Sequence, residues 1–212
     1  MSENKKYREI THPVLQHKLA MLRDKNTHGI GFRGLMNELG KFLAYEASRD
    51  FETVDFAVET PITNAVGKKP RQYPIVVSIM RAGNGMLDGV LETLPHASAG
   101  HIGIYRDKFI KNTVEYYFKL PAQSKGKNVL LLDPMLATAD TAIASVDRLK
   151  QYEVGKITLL CVLASPEGLE RLSHFHPDVE VVCLSVEEGL NEQGYLLPGL
   201  GDAGDRLYNS HK

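Results

Sequence analysis

Asp133 opens a short run whose residue types could bind a sugar phosphate. It is followed by Pro134, Met135, Leu136, Ala137, Thr138, Ala139, Asp140 and Thr141, and preceded by the apolar residues Val129 to Leu132. The unbroken apolar stretch predicts an interior parallel strand buried on both faces. Pro134 has no N–H for a ladder, so the chain is expected to leave the sheet there. Beyond the loop, Ile143, Val146 and Leu149 recur on one helical face. In an open parallel sheet, ligands bind at the carboxyl ends of the strands, and a helix N-terminus offers N–H groups to a phosphate. An acidic tip suits sugar hydroxyls better than a phosphate. The two ends together fit a ligand with a polyol at one end and a phosphate at the other. The same residues also fit a structural turn in which a threonine caps the helix.

Arg81 and Arg106 each follow an apolar strand at that same end. An arginine in such a place is commonly a solvated loop charge. Two beside a phosphate loop would make a polyanion clamp, since a guanidinium grips phosphate with paired hydrogen bonds. Residues 198–205, PGLGDAGD, are glycine-rich, which allows backbone groups to approach a ligand closely or simply makes a surface turn. A P-loop GxxxxGK[ST] is absent, and Gly83-Asn84-Gly85 lacks the third glycine of a dinucleotide fingerprint. His174-Phe175-His176 is too short for a metal set, and no serine has a GxSxG context.

The elements that must position these residues follow from periodicity. His12-Pro13 opens a helix with Val14, Leu15, Leu19 and Leu22 on one face. After a break at Lys25 to Gly31, a second helix carries Leu35, Met36, Leu39, Phe42 and Leu43. The pair is read as a cap or a dimer-forming element. Residues 54–60 read as a strand exposed on one side, and Gly67 to Pro70 as a turn. Strands are expected at 75–80, 101–105, 129–132, 157–164 and 179–184, with helices at 86–94 and 166–175. Lys108 to Leu120 reads as a β-hairpin or extended arm outside the sheet. Residues 1–10 are expected to be loosely held, and the tail 189–205 to be loop. Alternating strands and helices predict one α/β domain over residues 1–212, a mainly parallel sheet with helices on both faces.

Composition narrows the classes. The chain has 212 residues, 43% hydrophobic and 24% charged, enough for a full core. A formal charge of −1, from 25 basic against 26 acidic residues, leaves no electrostatic footprint for nucleic acid or an anionic membrane. Cys161 and Cys183 lie in strand-like runs, so buried reduced thiols are expected. The charged opening MSENKKYREI has no apolar signal region, and no apolar run reaches the ~18 to 20 residues of a spanning helix. A cytoplasmic protein is expected.

Taken together, several stretches resemble the uracil phosphoribosyltransferase family. They are HPVLQHKL near the N-terminus, AYEA at 44–47, RAGNGM at 81–86, YRD at 105–107, EYYFKLP at 115–121, DPMLATADT at 133–141, HPDVE at 176–180 and GLNEQGYLLPGLGDAGDR at 189–206. The resemblance covers nearly the whole chain, in order. It implies a type I phosphoribosyltransferase fold with a hood and a β-arm. It implies transfer of a phosphoribosyl group from phosphoribosyl pyrophosphate (PRPP) to uracil, giving UMP and pyrophosphate in pyrimidine salvage, with Mg²⁺ bound through PRPP. It also implies a homodimer or higher homo-oligomer and an allosteric purine nucleotide.

Carried over residue by residue, Asp133 would accept hydrogen bonds from the ribose hydroxyls. Pro134, Met135, Leu136 and Ala137 lead into the cradle, where amides of Ala137 to Thr141 and the Thr138 and Thr141 hydroxyls hold the 5′-phosphate. Arg81 and Arg106 match the pyrophosphate-side arginines. Leu196, Gly201, Asp202 and Ala203 match the uracil pocket, with Asp202 also facing the donor. Arg81, Arg106, Asp133 and Asp202 are the catalytic set this implies. The family loop usually reads ATGGS or ATGGT, whereas Ala139-Asp140 stand here for two glycines, and Asn84 stands for a usual apolar residue. A carboxylate about 7 Å from the phosphate would oppose it by roughly 2 kcal/mol at an effective dielectric near 20. The Asp140 side chain is therefore expected to point away while its N–H takes part. A regulatory protein that binds nucleic acid on the same fold, and a transferase for another base, are the alternative readings.

Overall fold

The computed structural model describes residues 7–106 and 113–210. In chain order its elements begin with β1 (Tyr7–Glu9), α1 (Pro13–Arg23), α2 (Gly29–Ala47), β2 (Thr53–Glu59), β3 (Asn64–Pro70) and β4 (Ile75–Met80). Next come α3 (Asn84–Thr93), β5 (Ser98–Arg106), β6 (Thr113–Lys119), β7 (Val129–Leu132), β8 (Met135–Leu136) and α4 (Asp140–Lys150). The last are β9 (Ile157–Ala164), α5 (Pro166–Phe175), β10 (Glu180–Val186), β11 (Gly189–Leu190), β12 (Leu196–Leu197) and α6 (Ala203–Tyr208). The main sheet runs β1-β10-β9-β7-β4-β5-β6, with β8 beside β9. All its pairings are parallel except β5 with β6.

The central strands form because Val, Ile and Leu run through them without alternation, and β7 and β9 are buried along their whole length. Alternate residues feed two cores. Val76, Leu130, Leu132, Leu160 and Val182 pack with Leu19, Phe32, Met36, Met86 and Leu207 of α1, α2, α3 and α6. Ile75, Val77, Leu131, Leu159 and Val181 pack with Val146, Leu149, Leu169 and Leu172 of α4 and α5. Helices therefore cover both faces, as the alternation of elements predicts. Among the described residues no helix is long and apolar enough to cross a membrane.

Five sequence expectations need correction. Residues 7–10 are not loose: β1 pairs with β10, and Ile10 is buried. Gly67 to Pro70 is not a turn but the end of β3, which pairs antiparallel with β2 as a separate two-stranded ribbon. Residues 113–119 do not stand outside the sheet. They form its antiparallel edge strand β6, while 107–112 lie outside the described residues. Finally, Pro134 does not remove the chain from the sheet for good. Its carbonyl accepts from the Val162 and Leu163 N–H groups, and β8 then rejoins β9. The tail, expected as loop, also holds β11, β12 and α6.

Cys161 and Cys183 are buried free thiols in register across β9 and β10. The neighbouring Cys183 and burial push the Cys161 thiol well above its usual range, which keeps it inert.

Chain order reverses direction between β4 and β7, since β5 lies on one side of β4 and β7 on the other. This is a topological switch point, where the crevice of an open sheet forms. The segment after β4 folds back against the end of β7 at Gly83. A Cβ there would lie 2.4 Å from the Leu132 carbonyl oxygen and 2.7 Å from that of Ile79. Gly83→Ala is expected to cost about 1–3 kcal/mol, because backbone on both sides must shift. Urea unfolding measures this; an unchanged midpoint would show that the two strand ends are not held together there.

Candidate active site

The switch point brings the predicted residues to one edge. Arg81 follows β4 and Asp133 follows the adjacent strand β7, while Arg106 ends β5 on the other side of β4. The Arg106 backbone is placed opposite Thr113, and its side chain lies outside the described residues.

The Asp133 carboxyl keeps some contact with solvent but is otherwise enclosed. Burial raises its pKa from the model-compound 3.8 to about 7, and the hydrogen bond from the Met135 N–H lowers it only partly, at 3.4 Å. An enclosed carboxylate short of donors is suited to ribose hydroxyls, which would supply them.

The loop that follows is shaped by α5. Ser165 caps α5 by accepting from the Gly168 N–H at 2.8 Å, and its hydroxyl donates to the Ala137 carbonyl at 2.6 Å. Gly168 permits this approach: a Cβ there would sit 2.3 Å from the same oxygen. Arg171 Nη1 donates to the Thr138 carbonyl at 2.7 Å. In a trans peptide the carbonyl of one residue and the N–H of the next point opposite ways. Holding the carbonyls of Ala137 and Thr138 against α5 therefore turns the N–H groups of Thr138 and Ala139 to the other side. Helix geometry adds the first amides of α4, which have no partner within the helix.

Ala139, at the N-cap of α4, is left-handed at φ +64 and ψ 2. This is the conformation in which an L-residue costs roughly 1–2 kcal/mol more than glycine. The Asp140 carboxylate is engaged on two sides. Oδ1 lies 2.6 Å from Arg171 Nη1, and Oδ2 accepts from the Thr138 hydroxyl at 2.9 Å. The Thr138 hydroxyl, expected at the phosphate, is therefore used within the loop in this structure.

Arg81 meets the C-terminal segment. It donates to Asp205 Oδ1 at 3.4 Å and Ser210 Oγ at 3.3 Å, and lies 5.5 Å from the Tyr208 ring centre. The Tyr208 hydroxyl donates to the Arg81 carbonyl at 3.1 Å. Asp202 caps α6 by accepting from the Asp205 N–H at 2.9 Å. Gly201 and Asp202 are exposed, whereas the Leu196 and Ala203 side chains are buried in the core, so these two can offer only backbone to a ligand.

Residues 198–206 are held by two cations. Arg23 reaches Glu187 through both terminal nitrogens, at 2.7 and 2.6 Å, and donates to the Gly199 carbonyl at 2.8 Å. Burial opposes ionisation of Glu187. Hydrogen bonds from Arg23 and the Gly199 N–H more than offset this, keeping its carboxyl below the usual range. Arg206 donates to the carbonyls of Leu200, Asp24 and Thr27 and packs over Phe32.

Asn84 has a visible role. Its Oδ1 accepts at 2.7 Å from the hydroxyl of buried Ser78, which also lies 2.8 Å from His101 Nδ1. Sequence reasoning missed this pairing, together with Ser165, Arg171, Asp205 and Tyr208.

The sequence profile for uracil phosphoribosyltransferase matches residues 9–210. The chain belongs to the uracil phosphoribosyltransferase family. A uracil phosphoribosyltransferase of Polaromonas naphthalenivorans is 48% identical, over 95% of this chain and 97% of that protein. One from Legionella pneumophila is also 48% identical, over 95% and 94%. Among solved structures, the AQ2163 protein from Aquifex aeolicus superposes with a TM-score of 0.90 at 37% identity, covering 95% of this chain and 97% of that one. An adenine phosphoribosyltransferase from Trypanosoma brucei shares the fold at a TM-score of 0.59 and 12% identity, over 95% and 90%. The fold is thus the type I phosphoribosyltransferase α/β architecture that the resemblance implied.

Asp133 is protonated below about pH 7 and ionised above it. Affinity for PRPP should rise between pH 6 and 8 in wild type, and Asp133→Asn should flatten that rise, as read by titration calorimetry. In the free protein the folded state holds the Asp133 proton between the unfolded pKa near 3.8 and the folded value near 7. Its contribution to stability is therefore lost as pH climbs through that window, and Asp133→Asn should remove that part of the slope. Ala139→Gly should stabilise the fold by about 0.5–1 kcal/mol, the relief at φ +64 less the greater chain entropy of glycine. Thermal unfolding measures it.

Proposed function

We propose that the chain transfers the phosphoribosyl group of PRPP to a ring nitrogen of uracil, giving UMP and pyrophosphate in pyrimidine salvage. The observation that carries this reading is the meeting of the Asp133 loop, Arg81 and residues 201–205 at one sheet edge, in a chain of this family. Asp133 accepts from the ribose hydroxyls, and amides from Thr138 to Thr141 hold the 5′-phosphate. Pro134 to Ala137 carry the chain between these two contacts. Backbone groups of Leu196, Gly201, Asp202 and Ala203 read the imide edge of uracil. The amino group of cytosine would leave a polar group unpaired there, at a penalty of about 1–3 kcal/mol.

Arg81 and, by the family resemblance, Arg106 are the cations that would neutralise the leaving pyrophosphate. Displacement at the anomeric carbon develops positive charge on the sugar and negative charge on pyrophosphate, so positioning and neutralisation dominate over covalent help. Arg81 is shared with Asp205 at 3.4 Å, and pyrophosphate would compete for it. Among the described residues no three His, Cys, Asp or Glu side chains gather to hold a metal ion. Mg²⁺ bound through PRPP oxygens is carried from the family resemblance, with the exposed Asp202 as the carboxylate that would face it. The ion would offset pyrophosphate charge.

We assign the protein to the cytoplasm as one domain. Homo-oligomeric assembly and a purine nucleotide effector are carried from the family resemblance. Sedimentation with and without nucleotide tests both.

The direct test is pyrophosphate release from PRPP with uracil, cytosine, adenine, guanine or orotate in turn. Uracil alone is expected to support turnover; a preference for another base would refute the assignment. Arg81→Ala and Arg106→Ala should each lower kcat/KM about a hundredfold, from loss of charge stabilisation in the transition state.

A further inference from the structure

Arg171 stands on α5, 33 residues from Thr138, yet touches the phosphate loop at two points. Its Nη1 lies 2.7 Å from the Thr138 carbonyl and 2.6 Å from Asp140 Oδ1. The Asp140 carboxylate is largely buried, at 18% exposure, and sits on the first residue of α4. A carboxylate at a helix N-terminus is itself favoured there by the helix dipole, and so competes with a phosphate for the same field. Left without a cation, it would also repel a phosphate bound to the loop. An ordinary surface ion pair between helices would affect neither. Here the same guanidinium also fixes a carbonyl whose peptide presents the Ala139 N–H on the opposite side.

We propose that Arg171 is a positioning residue for phosphoribosyl binding: it neutralises Asp140 and locks the Thr138–Ala139 peptide with its N–H turned to the phosphate. This rests on reading residues 133–141 as the phosphoribosyl site. The two contacts explain how a loop bearing a carboxylate at 140 can still take an anion. The carboxylate meets the Thr138 hydroxyl through one oxygen and the guanidinium through the other, so its negative charge is answered from α5.

The test compares Arg171→Met, Asp140→Gly and the double variant in the full chain, by steady-state kinetics with PRPP and uracil at several ionic strengths. Arg171→Met is expected to raise KM for PRPP by about tenfold or more, the scale of one unscreened carboxylate near a phosphate. KM for uracil and kcat at saturating PRPP should stay within about twofold of wild type, because the charge effect is on donor binding. Added salt should shrink the defect, since screening weakens repulsion between partly exposed charges. Asp140→Gly in the Arg171→Met background should restore most of the PRPP affinity.

An unchanged KM for PRPP in Arg171→Met overturns the proposal. So does a double variant no better than the single one, which would make Arg171 a general prop for α5. If Arg171→Met does not fold, the double variant is expected to fold and to bind PRPP somewhat more weakly than Asp140→Gly, by the loss of the contact to the Thr138 carbonyl. Failure of the double variant to fold also overturns the proposal. Asp133→Asn and Thr141→Val separate this from the underlying site reading. If both leave KM for PRPP unchanged, the phosphoribosyl site lies elsewhere. If they raise it and Arg171→Met does not, only the role of Arg171 is lost.

Discussion

The peptide groups between β8 and α4 are held with two carbonyls against α5, by Ser165 at Ala137 and by Arg171 at Thr138. Because a trans peptide fixes the opposite direction of the following N–H, this contact decides which side of the loop attracts an anion. Much of the surrounding architecture serves it. β9 ends at Ala164, which sets Ser165 and the start of α5 beside the loop. β8 must rejoin β9 after Pro134 so that Ala137 arrives beside Ser165. The left-handed Ala139 then turns the chain into α4 with the helix N-terminus facing the same crevice.

A second constraint acts from the other wall. The Arg81 segment is bound to β7 by the close approach at Gly83 and to the C-terminal helix by Asp205, Ser210 and Tyr208. Residues 198–206 are tied down by Arg23, Glu187 and Arg206. A crevice between rigid walls, with its own donors and acceptors already oriented, is what a reaction with diffuse charge in the transition state requires. The enclosed carboxyl of Asp133 meets only the long contact from the Met135 N–H, so it is an acceptor ready for hydroxyl donors.

How much of this was legible in the chain depends on how local the physics is. The bounds of β4, β7 and β9 agree with the sequence reading because mainly apolar runs end there at Arg81, Asp133 and Ser165, and those of α5 because Ser165-Pro166 is a helix start. Arg81 and Asp133 were visible for the same reason, since a charged residue closing a buried strand must lie at the sheet edge. β3 was hidden because a two-stranded ribbon open to solvent on both sides needs no apolar face, and Lys68 pairs across it with Asp55 rather than turning. β6 had the right residue types, but nothing in its own pattern says whether its partner is β5 or itself. Arg171, Asp205 and the Ser78–Asn84 contact answer groups distant in sequence or turned inward, so no spacing rule announces them. The Asp140 substitution was readable as a problem; its neutralising partner was not.

The pairing of β1 with β10 has a consequence for synthesis on the ribosome. Tyr7 finds its neighbour at Val181, so the first strand made is completed by nearly the last. At about 5–20 residues per second, the nascent edge waits on the order of ten to thirty seconds for its partner to emerge. During that interval Ile10 and the apolar face of α1 have no finished sheet to cover. The main sheet can therefore close only after β10 has been made, so its edge at β1 forms late in synthesis whatever folds earlier.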